Sequence, residues 1–102
     1  MPRILRTPKS REDYASIYDY VSESSPQNAE MLIQLFDQKL EVLARNNTMG
    51  RPRPELAPNL RCWLVHRFIL FYRPIEDGII LIRALHSSMD ISGKHFRLPP
   101  RS

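Results

Sequence analysis

The sequence predicts an α+β fold of order β-α-α-β-β-β, with a helical hairpin packed on a small, mostly antiparallel sheet. Three observations carry this expectation. Two stretches in the first half place apolar residues at helical spacing, and each opens on a hydroxyl residue followed by proline. Three short apolar runs follow in the second half, separated by turn signals. Between the halves lies "GRPRPELAPN", residues 50–59, where three prolines oppose any regular element.

The elements follow in chain order. Ile4-Leu5-Arg6 reads as a short first strand. Thr7-Pro8 opens the first helix: the threonine side chain accepts a hydrogen bond from a free amide, and proline at the first helical position loses none. Glu12 and Asp13 sit near the positive end of that helix. Tyr14, Ile17, Tyr18 and Val21 form its apolar stripe. Ser25-Pro26 repeats the start signal, and "SESS" joins the two helices as an antiparallel hairpin. The second helix carries Met31, Leu32, Leu35, Phe36, Leu40 and Leu43 on one side. It ends in "ARNNTMG", where Asn46, Asn47 and Gly50 are available stop residues. Residues 50–59 are expected as loop. Leu60 to Val65 and Phe68 to Tyr72 read as strands around a tight turn at His66-Arg67. Pro74 and Asp77-Gly78 mark the next turn. Ile79 to Leu85 is the most apolar run and therefore the expected central strand, with the first strand beside it. Residues 1–91 form the expected domain and "SGKHFRLPPRS", residues 92–102, a polar tail.

Composition narrows the function classes. The chain has 102 residues, 42% of them hydrophobic, which suits one domain with one modest core. No apolar run approaches the length of a membrane-spanning helix, and "MPRILRTPK" lacks the apolar centre of a secretion signal. Cys62 is the only cysteine, which fits a reducing, cytoplasmic setting. There is no CxxC, no paired histidine at metal spacing, no Walker A loop and no GxGxxG, so no metal and no cofactor is expected.

Charge is uneven. Residues 8–44 carry three basic and seven acidic side chains, whereas residues 45–67 set Arg45, Arg51, Arg53, Arg61 and Arg67 against Glu55 alone. Residues 81–102 add Arg83, Lys94, Arg97 and Arg101 against Asp90. The basic part is either ordinary solvated surface or a face for an anionic partner, whether nucleic acid or an acidic protein.

The chemistry-bearing stretch is "LIRALHSSMDI", residues 81–91. Metal-free RNA cleavage needs a base, an acid and cations on the phosphate. Arg61, Arg83 and His86 are residue types able to supply them. Strand alternation, however, puts Arg83 with Leu85 on one face and Ala84 with His86 on the other, unless a bulge intervenes. That weighs against a shared active site. Asp90 reads as a turn cap or as the partner of Arg61 or Arg83. Cys62, inside a strand beside Trp63, reads as a small buried thiol. Trp63, Phe68, Phe71 and Tyr72 are either base-stacking aromatics or core.

The ordered set "SREDYASIYDYV", "GRPRPEL" then "LR", "FILFYR" and "IILIRALHSSMDI" resembles the toxins of the RelE/ParE superfamily over residues 4–91. The strand running into Leu-His, small residues and then Asp resembles the ParE branch. The resemblance implies the toxin of a type II toxin–antitoxin pair, associated with plasmid stabilisation. A ParD-like antitoxin would neutralise it by wrapping its C-terminal segment over the toxin. Operator DNA would be met only through that antitoxin. The ParE branch implies DNA gyrase as target, without catalysis, with Arg51, Arg53, Arg61, Arg83, His86 and Asp90 as the candidate target-binding residues, the basic ones serving either a protein target or the toxin's own loops. The alternative is a RelE-like, ribosome-dependent mRNA endoribonuclease using Arg61, Arg83 and His86. Against it, Ser87 and Ser88 follow His86 where that branch typically has an acid–base residue, and the region leading into the second strand, residues 50–59, holds no lysine. A further alternative is a non-toxic relative that retains antitoxin binding.

Overall fold

The computed structural model describes residues 2–97. Its elements are β1 (Arg3–Arg6), α1 (Pro8–Ser22), α2 (Pro26–Arg45), β2 (Arg51–Pro52), β3 (Arg61–Val65), β4 (Phe68–Ile75) and β5 (Gly78–His86). A short 3-10 turn, Gly93–Phe96, follows. The expected α+β architecture is present as two helices on one face of a five-stranded mixed sheet of order β1-β5-β4-β3-β2. β1 lies beside β5 and runs parallel to it; all other pairs are antiparallel.

Both helix starts form for the reason the sequence suggests. The Ser10 amide donates to Thr7 Oγ1 at 3.0 Å, and the Asn28 amide to Ser25 Oγ at 3.2 Å. Thr7 also ties α1 to the sheet: its hydroxyl donates to the Ile82 carbonyl at 2.8 Å and its amide to the Leu81 carbonyl at 3.1 Å. Ile17 of α1 and Phe36, Leu40 and Leu43 of α2 are buried against Phe68, Leu70, Tyr72, Ile79, Leu81 and Ala84 of the sheet. Met31 departs from the expected apolar side; it is 66% exposed.

The other face of the sheet is covered too. Ala57 from the proline-rich segment, Leu60 just before β3 and Phe96 from the C-terminal turn bury Cys62, Phe71 and Leu85. Phe96 meets Phe71 edge-on at 4.8 Å between ring centres. The expected polar tail thus begins with a packed turn, and residues 98–102 lie outside the described residues.

Two strand boundaries are corrected. Residues 50–59 are not all loop, because Arg51 and Pro52 pair with Cys62 and Arg61 as a two-residue outer strand. Proline is tolerated there because one side of an outer strand needs no donor. Pro74 is not a turn marker but lies inside β4, opposite Ile79. β3 pairs only as far as Tyr72, so Pro74 sits where β4 has no neighbour on that side. The middle position of the sheet belongs to β4, with β5 interior between β1 and β4.

β5 contains a bulge. Phe71 pairs with Arg83 but Tyr72 pairs with Leu81, which leaves Ile82 without a partner. Before the bulge Ile79 and Leu81 face the helices; after it Ala84 does, whereas Ile82 and Leu85 face the other cluster.

Two consequences are testable. A Cβ at Gly78 would collide with the Arg3 backbone where β1 joins the sheet. Gly78→Ala should therefore cost about 2–3 kcal/mol in urea unfolding, with lost amide protection concentrated in Arg3–Arg6. Tyr14 packs on Phe36, lies under the Arg6 guanidinium and donates to Asp37 at 3.3 Å. Burial pushes its phenol up to about 12. Because the folded value exceeds the ordinary value of about 10, the neutral phenol's contribution is complete below pH ~10 and is lost as pH rises through ~12. Ultraviolet titration should show a late step to which Tyr14 and Tyr72 both contribute, since burial raises both phenols, and Tyr14→Phe should diminish it.

Candidate functional site

The residues expected to carry function fall into two groups on different strands. Arg51, Arg53 and Arg61 lie along the β2–β3 side of the sheet; Arg83, His86 and Asp90 lie at or just beyond the end of β5.

In the first group the arginines hold the chain's own loops. Arg61 donates from Nη1 to the carbonyls of Thr48 at 2.8 Å and Gly50 at 2.7 Å. Arg53 pairs with Glu55 at 2.8 Å, lies over the Phe71 ring and reaches Cys62 Sγ at 3.9 Å. The hydrogen bond from Arg53 holds the Glu55 carboxyl below its ordinary value and raises the Arg53 guanidinium. Arg51 is exposed. Cys62 is buried, as read from the sequence, and Phe68, Phe71 and Tyr72 are core residues, none more than 7% exposed. They have no free face for a base; Trp63 is only partly buried.

In the second group the decisive partner is Asp13 of α1. Its carboxylate takes two hydrogen bonds from Arg83, Nε to Oδ2 at 2.7 Å and Nη2 to Oδ1 at 3.0 Å. The Ala84 amide adds a third at 3.0 Å. Arg83 also donates from Nη1 to the His95 carbonyl at 3.1 Å. The side chains of the pair are only 16% and 12% exposed. Hydrogen bonding to Asp13 raises the Arg83 guanidinium above its ordinary value. Asp90, expected as a possible partner of Arg61 or Arg83, is exposed and pairs with neither.

His86 organises the exit turn. Its Nδ1 accepts from the Ser88 amide at 3.0 Å and stands 2.7 Å from Ser88 Oγ. Its ring meets Phe68 edge-on at 5.1 Å. The accepting nitrogen is therefore committed, and the neutral ring carries its proton on Nε2. Register agrees with the alternation read from the sequence: Arg83 stands opposite Phe71 on one face, and His86 opposite Phe68 on the other. The bulge precedes Arg83 and so does not bring the two onto one face. Both nevertheless border one cleft of about 670 Å³ at the free edge of β5, with Asp13, Tyr20, Arg67 and Met89.

The sequence reading missed Asp13, taking it for a helix-end charge. Its position one turn before Ile17, beside the apolar stripe, was the available signal, since a carboxylate near the core needs a partner. Among the described residues no cluster of three or more His, Cys, Asp and Glu side chains stands ready to hold a metal ion. No described helix is long and apolar enough to cross a membrane.

Residues 4–91 match the family described as the ParE toxin of the type II toxin–antitoxin system, parDE. The chain belongs to the ParE toxin family. The ParE match spans both helices and, but for Arg3 at the start of β1, every described strand, and the 3-10 turn lies beyond it. Among related proteins, Toxin RelE3 of Caulobacter vibrioides is 27% identical over 84 residues, covering 78% of this chain and 88% of that protein. A solved structure of a chromosomal ParDE system from P. aeruginosa superposes with a TM-score of 0.69 at 25% identity, covering 84% of this chain and 96% of that one. This ParE-family chain is thus a type II toxin of the RelE/ParE superfamily in both sequence and fold.

The Asp13–Arg83 pair should behave as one unit. Arg83→Ala, which leaves a mostly buried carboxylate with one amide donor, should cost about 3 kcal/mol in denaturant unfolding. The Asp13→Ala/Arg83→Ala double variant should fall short of the summed losses by at least ~1 kcal/mol.

Proposed function

We propose that this ParE-family toxin acts in the cytoplasm by binding DNA gyrase, without catalysing a reaction itself, and that a cognate ParD-like antitoxin neutralises it. The observation that carries this reading is the commitment of the groups a nuclease would need. Arg61 Nη1 is engaged by two backbone carbonyls, Arg83 by Asp13 and His95, and the His86 Nδ1 lone pair by the Ser88 amide. A general base needs a free lone pair within reach of the proton it takes, and His86 Nδ1 has none. Family membership supports the same reading, since the ParE branch is the one associated with gyrase. The exposed Arg51 and Asp90, with the outer surfaces of Arg53, Arg61, Arg83 and His86, are the proposed target contacts.

Two observations favour the runner-up, a ribosome-dependent endoribonuclease. The relative at 27% identity carries the name Toxin RelE3, and Arg83 and His86 border the same cleft.

Expression of the chain without antitoxin should stop DNA synthesis before protein synthesis. The purified toxin should inhibit supercoiling by gyrase or trap its cleavage complex. Protein synthesis stopping first, with ribosomal A-site mRNA cuts that vanish in His86→Ala, would establish the nuclease instead. Unimpaired growth would mark a relative that only binds antitoxin.

A further inference from the structure

We propose that the β2–β3 corner, where Met49, Arg51 and Leu64 stand together, docks the toxin's protein target through a patch of that target with an apolar centre and an acidic rim. This rests on the reading above that the chain acts by binding gyrase, and it centres the contacts on one corner. The cover on the helix-free face of the sheet stops short of this place. Alternation puts Leu64 on the same face as buried Cys62, yet Leu64 is 62% exposed. β2 runs antiparallel to β3 with Arg51 opposite Cys62, so the residues just before Arg51 are carried toward Leu64. Met49, Arg51, Trp63, Leu64 and Ile69 line a depression of about 550 Å³ there. Met49 is exposed like Leu64.

The corner is held in shape from beneath. The Gly50 amide donates to the hydroxyl of buried Tyr72 at 2.8 Å. Arg61 grips the carbonyls on either side of Met49, those of Thr48 and Gly50. Asn47 donates to the carbonyls of Ile75 at 2.8 Å and Gly78 at 3.1 Å. No side chain fits at Gly50, where a Cβ would collide with the Tyr72 ring and the Cys62 carbonyl. Connecting segments are ordinarily mobile. This one instead displays an apolar side chain and a guanidinium on a fixed backbone, and a fixed display needs little further ordering on binding.

Charge and apolarity together define the occupant. From residue 46 to 64 the charged side chains are Arg51, Arg53 and Arg61 against Glu55 alone. Arg53 is paired with Glu55, and Arg51 has no ion pair among the described residues. Carboxylates on the partner answer these arginines. Nucleic acid would answer them too, but a phosphate backbone offers nothing to Met49 and Leu64. A second copy of the chain would set two positive corners against each other in a two-fold contact centred on Leu64. A protein surface with an apolar centre and an acidic rim meets both demands.

The test uses the full chain and purified gyrase. Leu64→Glu and Arg51→Glu, both at exposed positions, should each weaken gyrase binding and supercoiling inhibition by roughly tenfold or more, with an unchanged urea midpoint. Met49→Glu should act in the same direction. Met31, 66% exposed on α2 and so on the helix side of the sheet, is the control: Met31→Glu should weaken inhibition by less than about twofold. Inhibition undiminished in Leu64→Glu and Arg51→Glu, or a loss in Met31→Glu as large as theirs, overturns the site while leaving the gyrase reading intact. Retention of the toxin by duplex DNA alone, abolished by Arg51→Glu, overturns the protein occupant. Absence of any gyrase inhibition by the unaltered chain overturns both the site and the reading.

Discussion

The Asp13 carboxylate is the joint on which the arrangement depends. It receives three donors, two from Arg83 and one from the Ala84 amide. Arg83 passes its remaining reach to the His95 carbonyl. One ion pair therefore joins the first helix, the interior strand and the C-terminal turn, which have no covalent proximity. Desolvating two charges is costly, and the pair persists because its geometry is bidentate and the spare lone pairs are used. Position matters as much as strength. The joint stands where β1 stops accompanying β5, so it seals the first backbone donor that would otherwise be left at that step.

The bulge at Ile82 makes the joint possible. Without an extra residue, strict alternation from Ile79 and Leu81 would turn position 83 toward the helices, placing an arginine in the main core. The inserted residue shifts the parity. Small Ala84 then takes the helix-facing site, and Arg83 emerges at the margin within reach of both Asp13 and His95. The same shift sets His86 against Phe68. Separation of Arg83 from His86, and the commitment of each to a structural partner, thus share one cause in the register of β5.

Local signals were legible in the sequence and long-range ones were not. Thr7-Pro8 and Ser25-Pro26 announce helix starts because a cap needs only its own three following residues. The His66-Arg67 turn reads equally well, with His66 adopting a left-handed backbone at φ 55°. β2 escaped because a two-residue strand has no periodicity of its own; pairing with Arg61 and Cys62 creates it. Pro74 misled because a proline inside a strand is acceptable only where the neighbouring strand has ended, which is a fact about β3. Phe96 was hidden in a polar context, and its burial depends on Phe71, distant in sequence. For the site, the alternation of Arg83 and His86 was readable from local geometry, whereas Asp13 as the partner of Arg83, across 70 positions, was not.

Unpaired strand edges invite other chains, and this sheet blunts its two outermost ones. β1 carries Arg3 and Arg6 along its edge, and β2 is two residues long, made of Arg51 and Pro52. Charge, brevity and proline are the usual means of refusing a further strand. The step on β5 from Ala84 to His86 is also short, and the Asp13 carboxylate takes its first amide, but it carries no proline and its flanking Tyr20 and Met89 are exposed hydrophobics. It is protected further by recess, lying in a cleft beside α1 rather than along a flat rim. A flat edge would accept any strand, including another copy of the chain. A recess beside α1 hinders such pairing where a flat rim would allow it.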